Sequence, residues 1–155
     1  MSYSQGMEMF LADEAATQAL GAALAKALRA GDAVCLSGPL GAGKSSLARA
    51  LIRALTAPDE EVPSPTYTLV QAYRGPDFEI AHFDLYRLED PDEARELGLD
   101  DALEHGAAVI EWPQRLGGAL PPNRLSLEIE PTADGAARTA RLSFHGTWQG
   151  RTLDV

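Results

Sequence analysis

Apolar residues recur at helical spacing over residues 13–29, where Ala16, Leu20, Ala23, Leu24, Ala27 and Leu28 share a stripe behind an acidic start and ahead of Gly31. The spacing predicts a helix packed on a sheet. Residues 33–37 form a short apolar run closed by Gly38, the pattern of a buried strand, and the helical period resumes over 45–55 with Leu47, Ala48, Leu51, Ile52 and Leu55. Strand, glycine-rich loop and helix therefore follow in order. Pro58, Pro63 and Pro65 make residues 58–65 a loop, because each proline disfavours helix in the residue before it. Residues 68–73 and 78–84 are rich in β-branched and aromatic side chains around Arg74-Gly75-Pro76-Asp77, which predicts a hairpin. Short helices are predicted over 91–97 and 99–104, and an apolar strand over 107–110 ends at Glu111. A second hairpin is predicted from 124–130 and 137–144 around Pro131-Thr132-Ala133-Asp134-Gly135. No repeat, linker or low-complexity tract interrupts the chain. Together these elements predict an α/β fold in one domain over residues 1–155: a mixed, mostly parallel sheet with β-hairpins, flanked by helices.

Composition narrows the function classes. A chain of 155 residues that is 45% hydrophobic is long enough to bury its own core. A net charge of -10 and a pI near 4.6 argue against an extended footprint on a phosphate backbone, which normally needs a basic face. Any nucleic acid in its biology is expected to be held by another component. The single Cys35 lies in Ala33-Val34-Cys35-Leu36 and reads as a small core hydrophobe in a reducing compartment. The start Met1-Ser2-Tyr3-Ser4-Gln5 lacks a basic region followed by an apolar one, and no stretch approaches the ~20 apolar residues of a membrane span. A cytoplasmic protein with no membrane partner is expected.

The chemistry is concentrated in Gly38-Pro39-Leu40-Gly41-Ala42-Gly43-Lys44-Ser45, which fits the phosphate-binding pattern G-x-x-x-x-G-K-[ST] between a predicted strand and a predicted helix. Glycines let the backbone curl until successive N–H groups converge on one anion, and the following helix adds its positive end. Lys44 would bring a charge to the β- and γ-phosphates, and the Ser45 hydroxyl would ligate Mg²⁺. Such a site also needs an acid to order the ion and its waters, placed where a strand ends at the ligand crevice. Glu111 and Asp84 both end apolar strand runs. Most strand-end acids are merely solvated, but a phosphate loop beside them favours a role for both. The chain holds only two lysines, Lys26 and Lys44, and no Asn-Lys-x-Asp guanine-reading motif, so the expected nucleotide is ATP. His82, inside a strand, reads as packed or hydrogen-bonded rather than as a proton shuttle.

With these residues in hand, the sequence resembles the TsaE (YjeE) family of bacterial ATPases required for threonylcarbamoyladenosine modification of tRNA. Four pieces carry the resemblance: residues 38–46 (GPLGAGKSS), 64–69 (SPTYTL), 82–87 (HFDLYR) and 111–114 (EWPQ), in the family's order and spacing. Two positions depart from it, Pro39 where an acidic residue is frequent and Ser45 where Thr is frequent. The resemblance implies ATP held by Leu40, Gly41, Ala42, Gly43, Lys44 and Ser45, with Mg²⁺ bound by Ser45 and Glu111 and with Asp84 acting on the attacking water. It casts Ser64, Thr66 and Thr68 as a switch-like segment, sets Trp112 beside the nucleotide, and sets Glu14 and Arg138 near the adenine. It also implies partners, the TsaD and TsaB proteins, with tRNA reached only through that complex and threonylcarbamoyl transferred to adenosine 37 of tRNAs reading codons that begin with A.

Two other classes share the phosphate loop. A small-molecule kinase would need an acceptor site and usually an arginine-bearing lid, and residues 58–65 carry no arginine. A nucleotide-dependent switch without hydrolysis would not need paired acids such as Asp84 and Glu111. No arginine stands beside the phosphate loop in the motif-bearing stretches, Arg87 being the nearest in sequence, so slow hydrolysis by the lone protein and acceleration by its partners are expected.

Overall fold

The structure, a computed structural model, describes residues 5–65 and 68–155. Its elements in order are β1 (Gln5–Leu11), α1 (Glu14–Ala27), β2 (Ala33–Ser37), α2 (Lys44–Leu55), β3 (Val70–Arg74), β4 (Glu79–Asp84), α3 (Asp92–Glu96), α4 (Leu99–His105), β5 (Gly106–Glu111), β6 (Arg124–Pro131) and β7 (Arg138–Phe144). Two short 3₁₀ turns, Pro113–Leu116 and Gly146–Trp148, complete them. The strands form one seven-stranded sheet in the order β1-β7-β6-β2-β5-β4-β3. Its four central strands, β6, β2, β5 and β4, run parallel, and the outer strands are antiparallel additions. The mixed, mostly parallel sheet and both hairpins agree with the expectation from sequence.

Strand alternation sorts the core onto two faces. From β2, Val34 and Leu36 join one cluster with Leu20 and Leu24 of α1 and with Leu47, Leu51 and Ile52 of α2. Ala33 and Cys35, one residue out of phase, join a second cluster with Phe83, Ile110, Leu88 and Leu99, under α3 and α4. A strand buried on both faces needs a continuous apolar run, which is what residues 33–36 supply. Each fully buried Leu or Ile contributes about 1.5–3 kcal/mol, so the two layers stabilise the sheet more than any local propensity does. α1 starts where Asp13 caps it, the carboxylate accepting from Ala16 N–H at 2.9 Å. It ends at Ala27, two residues short of the predicted stop, as Leu28 turns to extended backbone.

β1 is the element the hydrophobic pattern does not announce. Met7, Met9 and Leu11 alternate, but the strand lies at the sheet edge, and Phe10 is 66% exposed on its other side. Its partner is β7, at the far end of the chain, with Leu11 opposite Arg138. The pairing is therefore non-local, and nothing nearby in sequence signals it. No described helix is long and apolar enough to cross a membrane.

Candidate functional site

Three parallel strands end side by side. β2 runs into residues 38–43 and then α2, while Asp84 and Glu111 close β4 and β5 as register partners, and Glu111 is one strand over from Leu36. This carboxyl-end crevice is where open α/β sheets take their ligands. The loop curls because Gly38, Gly41 and Gly43 hold φ of 143°, 79° and 105°. At Gly38 the space is closed as well, and at Gly43 a movable side chain stands close. A Cβ on Gly38 would collide with the Ile129 carbonyl oxygen of β6, and one on Gly43 would stand 2.7 Å from the Arg138 guanidinium carbon. Gly43 is the residue from which α2 starts, with Leu47 N–H donating to its carbonyl, so the helix N-terminus opens on the loop.

The acids lie behind the loop. Glu111 is 2% exposed; its Oε1 accepts the Ser45 hydroxyl at 3.1 Å and its Oε2 lies 2.7 Å from Nε2 of the buried His82. Asp84 is also buried, and its Oδ1 accepts the Tyr86 N–H at 3.1 Å. His82 is hydrogen-bonded, in keeping with the expectation from sequence, and its partner is one of the two candidate acids.

Lys44 is turned back onto its own loop. Its Nζ donates to the Gly38 carbonyl and reaches the Pro39 carbonyl at 3.4 Å, and it lies 3.7 Å from the centroid of the Trp112 ring. Burial draws the ammonium below its ordinary range, while the carboxylates of Glu111 and Asp84 pull it back up. Trp112 stands with φ 60° and ψ 52°, a left-handed conformation uncommon for a side chain of its bulk, and this turns the chain from β5 into the 3₁₀ turn. Its ring packs on Tyr86 at a centroid distance of 4.9 Å. Trp112 therefore covers the loop lysine, a relationship the sequence does not reveal.

Glu14 and Arg138 meet on the opposite wall. Arg138 Nη1 lies 3.5 Å from Glu14 Oε2. The guanidinium rests against Gly43, so an arginine from outside the motif-bearing stretches stands beside the loop. The arginine comes from β7, remote in sequence from every motif, and the β1–β7 pairing carries it there. The sequence signal was only the resemblance that set Glu14 and Arg138 near the nucleotide. Leu40, Gly41, Gly43, Lys44, Ser45, Ser64, Asp84, Glu111, Trp112 and Arg138 line one cleft of about 270 Å³, while Ala42 is buried in the core. A cavity of about 520 Å³ between β4 and α4 is larger, but no lysine lines it. Chemistry selects the smaller one.

Of the expected switch-like segment, Ser64 reaches this cleft, whereas Thr68 accepts from Gln71 Nε2 at 3.2 Å and Thr66 lies outside the described residues. Leu69 then takes φ 68° and passes its carbonyl to the Asp84 N–H at 3.0 Å, tying this segment to the end of β4. The donor set suits a hard cation at Ser45 and Glu111, two oxygens already 3.1 Å apart, and an anion at the loop N–H groups.

The sequence profile of the family described as "Threonylcarbamoyl adenosine biosynthesis protein TsaE" matches residues 11–140. The chain is 37% identical over 122 residues to the tRNA threonylcarbamoyladenosine biosynthesis protein TsaE of Rickettsia felis, covering 79% of this chain and 71% of that one. It is 38% identical over 142 residues to the protein of the same name from Mycobacterium leprae, covering 86% and 84%. Among solved structures, the crystal structure of YdiB from Bacillus subtilis superposes with a TM-score of 0.76 at 23% identity, over 95% of this chain and 90% of that one, which shows a shared fold.

Proposed function

The chain belongs to the TsaE family of threonylcarbamoyl adenosine biosynthesis proteins, and on that premise we propose that it is a magnesium-dependent ATPase that supports threonylcarbamoylation of adenosine 37 in tRNAs reading codons that begin with A. The observation that carries this reading is the Ser45–Glu111 hydrogen bond, beside Lys44 and Asp84, at the ends of three adjacent strands. An anion-binding loop alone would serve a switch. A hydroxyl, two buried acids and a buried lysine on one crevice are the parts that hydrolysis uses.

In this reading the N–H groups of Leu40 to Ser45 and the N-terminal end of α2 hold the phosphates of ATP. Ser45 and Glu111 would hold Mg²⁺, which when bound neutralises charge on the phosphate oxygens. Lys44 leaves its loop carbonyls to face the phosphates, and Trp112 must yield the ammonium as it does so. Asp84, buried and fixed through the Tyr86 N–H, orients the attacking water and takes up its proton. Arg138 and Glu14 flank the nucleotide on the far wall. Resting with Lys44 covered, the lone protein turns over slowly. Its proposed partners, the TsaB and TsaD proteins, accelerate it, and tRNA is engaged through them, in keeping with a net charge of -10. The proposed location is the cytoplasm, in one domain.

The test is single-turnover hydrolysis by this protein alone, with TsaB and TsaD of the same organism, and in EDTA, with Glu111→Ala as the blank. Slow, magnesium-dependent release that partners stimulate is expected. Unstimulated turnover of about 1–100 per second by the lone protein would point to a kinase. No release under any condition would leave only a switch.

A further inference from the structure

A buried titratable side chain that touches the site and has no part in that scheme is His82. It stands two residues before Asp84 on β4, so the two project from one face of the sheet, the face covered by α2, and Glu111 projects from the same face of the neighbouring strand. Nε2 of His82 lies 2.7 Å from Oε2 of Glu111, while Oε1 of the same carboxylate accepts the Ser45 hydroxyl at 3.1 Å. The two contacts take the carboxylate from both sides, one oxygen each. The last torsion of a glutamate is broad and roughly two-fold, so a carboxylate held by Ser45 alone could turn. Held by both, it cannot turn without breaking a buried hydrogen bond.

The far side of the ring tells which nitrogen donates. Nδ1 is buried and has no hydrogen-bond partner among the described residues. A proton there would be a buried donor with nothing among the described residues to receive it, a costly state. With the ring proton on Nε2 it is donated to Oε2, and the other carboxylate oxygen of Glu111 faces Ser45.

The geometry points to His82 as the positioning residue that fixes Glu111 from behind, so that its Oε1 faces Ser45 before any ligand arrives. It acts through Glu111 and touches no substrate. The inference rests on the ATPase reading in one respect, that Ser45 and Glu111 form the magnesium side of the cleft. Residues that orient a metal-binding carboxylate or histidine are typically worth about 10–100-fold in metal affinity. A histidine that merely filled the core would shift stability and leave the magnesium response alone.

The experiment measures ADP affinity of the full chain by calorimetry, in EDTA and across a Mg²⁺ series, for the native protein, Glu111→Ala, His82→Leu, His82→Asn and His82→Gln. In the native protein Mg²⁺ should tighten ADP, and in Glu111→Ala that gain should vanish. His82→Leu and His82→Asn should need about 10–100-fold more Mg²⁺ for half the gain, with ADP affinity in EDTA within twofold of native. His82→Gln, whose amide nitrogen reaches about as far as Nε2, should recover most of the response. Should His82→Leu fail to fold, the pair of polar variants still decides the matter through the difference in reach. A native magnesium response in both His82→Leu and His82→Asn, or a Gln variant no better than Asn, overturns the inference. If Glu111→Ala responds to Mg²⁺ as the native protein does, the fault lies in the magnesium reading itself.

Discussion

Replacing Arg138 with Ala separates a ligand role from a structural one. The guanidinium lies 3.5 Å from Glu14, with side chains 30% and 54% exposed, so the pair is solvent-screened and its loss should cost only about 0.2–1 kcal/mol of stability. The same guanidinium rests against Gly43, where the phosphate loop becomes α2. A hydrogen bond from it to a charged nucleotide would contribute about 1.5–3 kcal/mol. Releasing Glu14 offsets part of that, leaving a net of about 1–2 kcal/mol, a factor of about 5–30 in affinity. The assay is titration of ADP against Arg138→Ala and native protein, paired with urea unfolding of both. The expected result is a nearly unmoved unfolding midpoint and a 5–30-fold weaker complex. Glu14→Gln keeps the length but drops the charge that competes for Arg138, so its affinity should equal or exceed native. If Arg138→Ala binds ADP as tightly as native protein, or if its loss of affinity matches a loss of stability, the arginine has no ligand role and the argument from proximity fails.

Lys44→Ala should remain folded by circular dichroism and lose phosphate release by at least about 100-fold, the usual scale for removing one transition-state donor; undiminished turnover would sink the mechanism. Burial pushes the Cys35 thiol up to about 12 from 9.0, so it should resist iodoacetamide at pH 9 in the native protein and react once unfolded. Because the folded value is the raised one, this thiol favours the native state below pH 9 and that contribution is lost as pH climbs toward 12, a decline that Cys35→Ala should lack in urea titrations. Arg151 binds Asp32 with both terminal nitrogens, at 2.6 and 3.2 Å, and the side chains are 8% and 3% exposed; Arg151→Met should cost about 3–5 kcal/mol in urea unfolding, and adding Asp32→Asn should return much of it. Trp112 lies on the Lys44 ammonium, so ATP should change the emission of a Trp148→Phe protein, and a flat signal would remove Trp112 from the cleft's moving parts.

The local part of the fold was legible because its signals are local. Val34 and Leu36 against Ala33 and Cys35 announce a strand buried on both faces, and Leu47, Leu51 and Ile52 announce the helix after the loop. Lys44, Ser45, Asp84 and Glu111 could be placed because a phosphate loop and the ends of parallel strands come with fixed geometry. What could not be read depends on which strands become neighbours. Arg138 reaches Gly43 only because β7 lies between β6 and β1, and β1 itself is an edge strand whose partner lies at the opposite end of the chain. The covering of Lys44 by Trp112 depends on one left-handed residue, a backbone state that an aromatic side chain does not signal. His82 was identified as a packed or hydrogen-bonded residue, but its partner follows from the β4–β5 register.

The pairing of β1 with β7 has a consequence for how the molecule is made. β1 is synthesised well before its partner β7 and waits for it, since Leu11 and Arg138 are register partners. β2, α2, β4 and β5 can assemble with the loop, Lys44, Ser45 and both acids while β7 is still being synthesised. The wall formed by Glu14 and Arg138 cannot. Such long-range closures are slow steps, and until this one is complete β1 has no strand beside it. A nascent chain would thus acquire its glycine-rich loop and both acids well before the whole cleft, which closes only once β7 has been made. Loss of β1 or of β7 should therefore damage the same wall of the cleft.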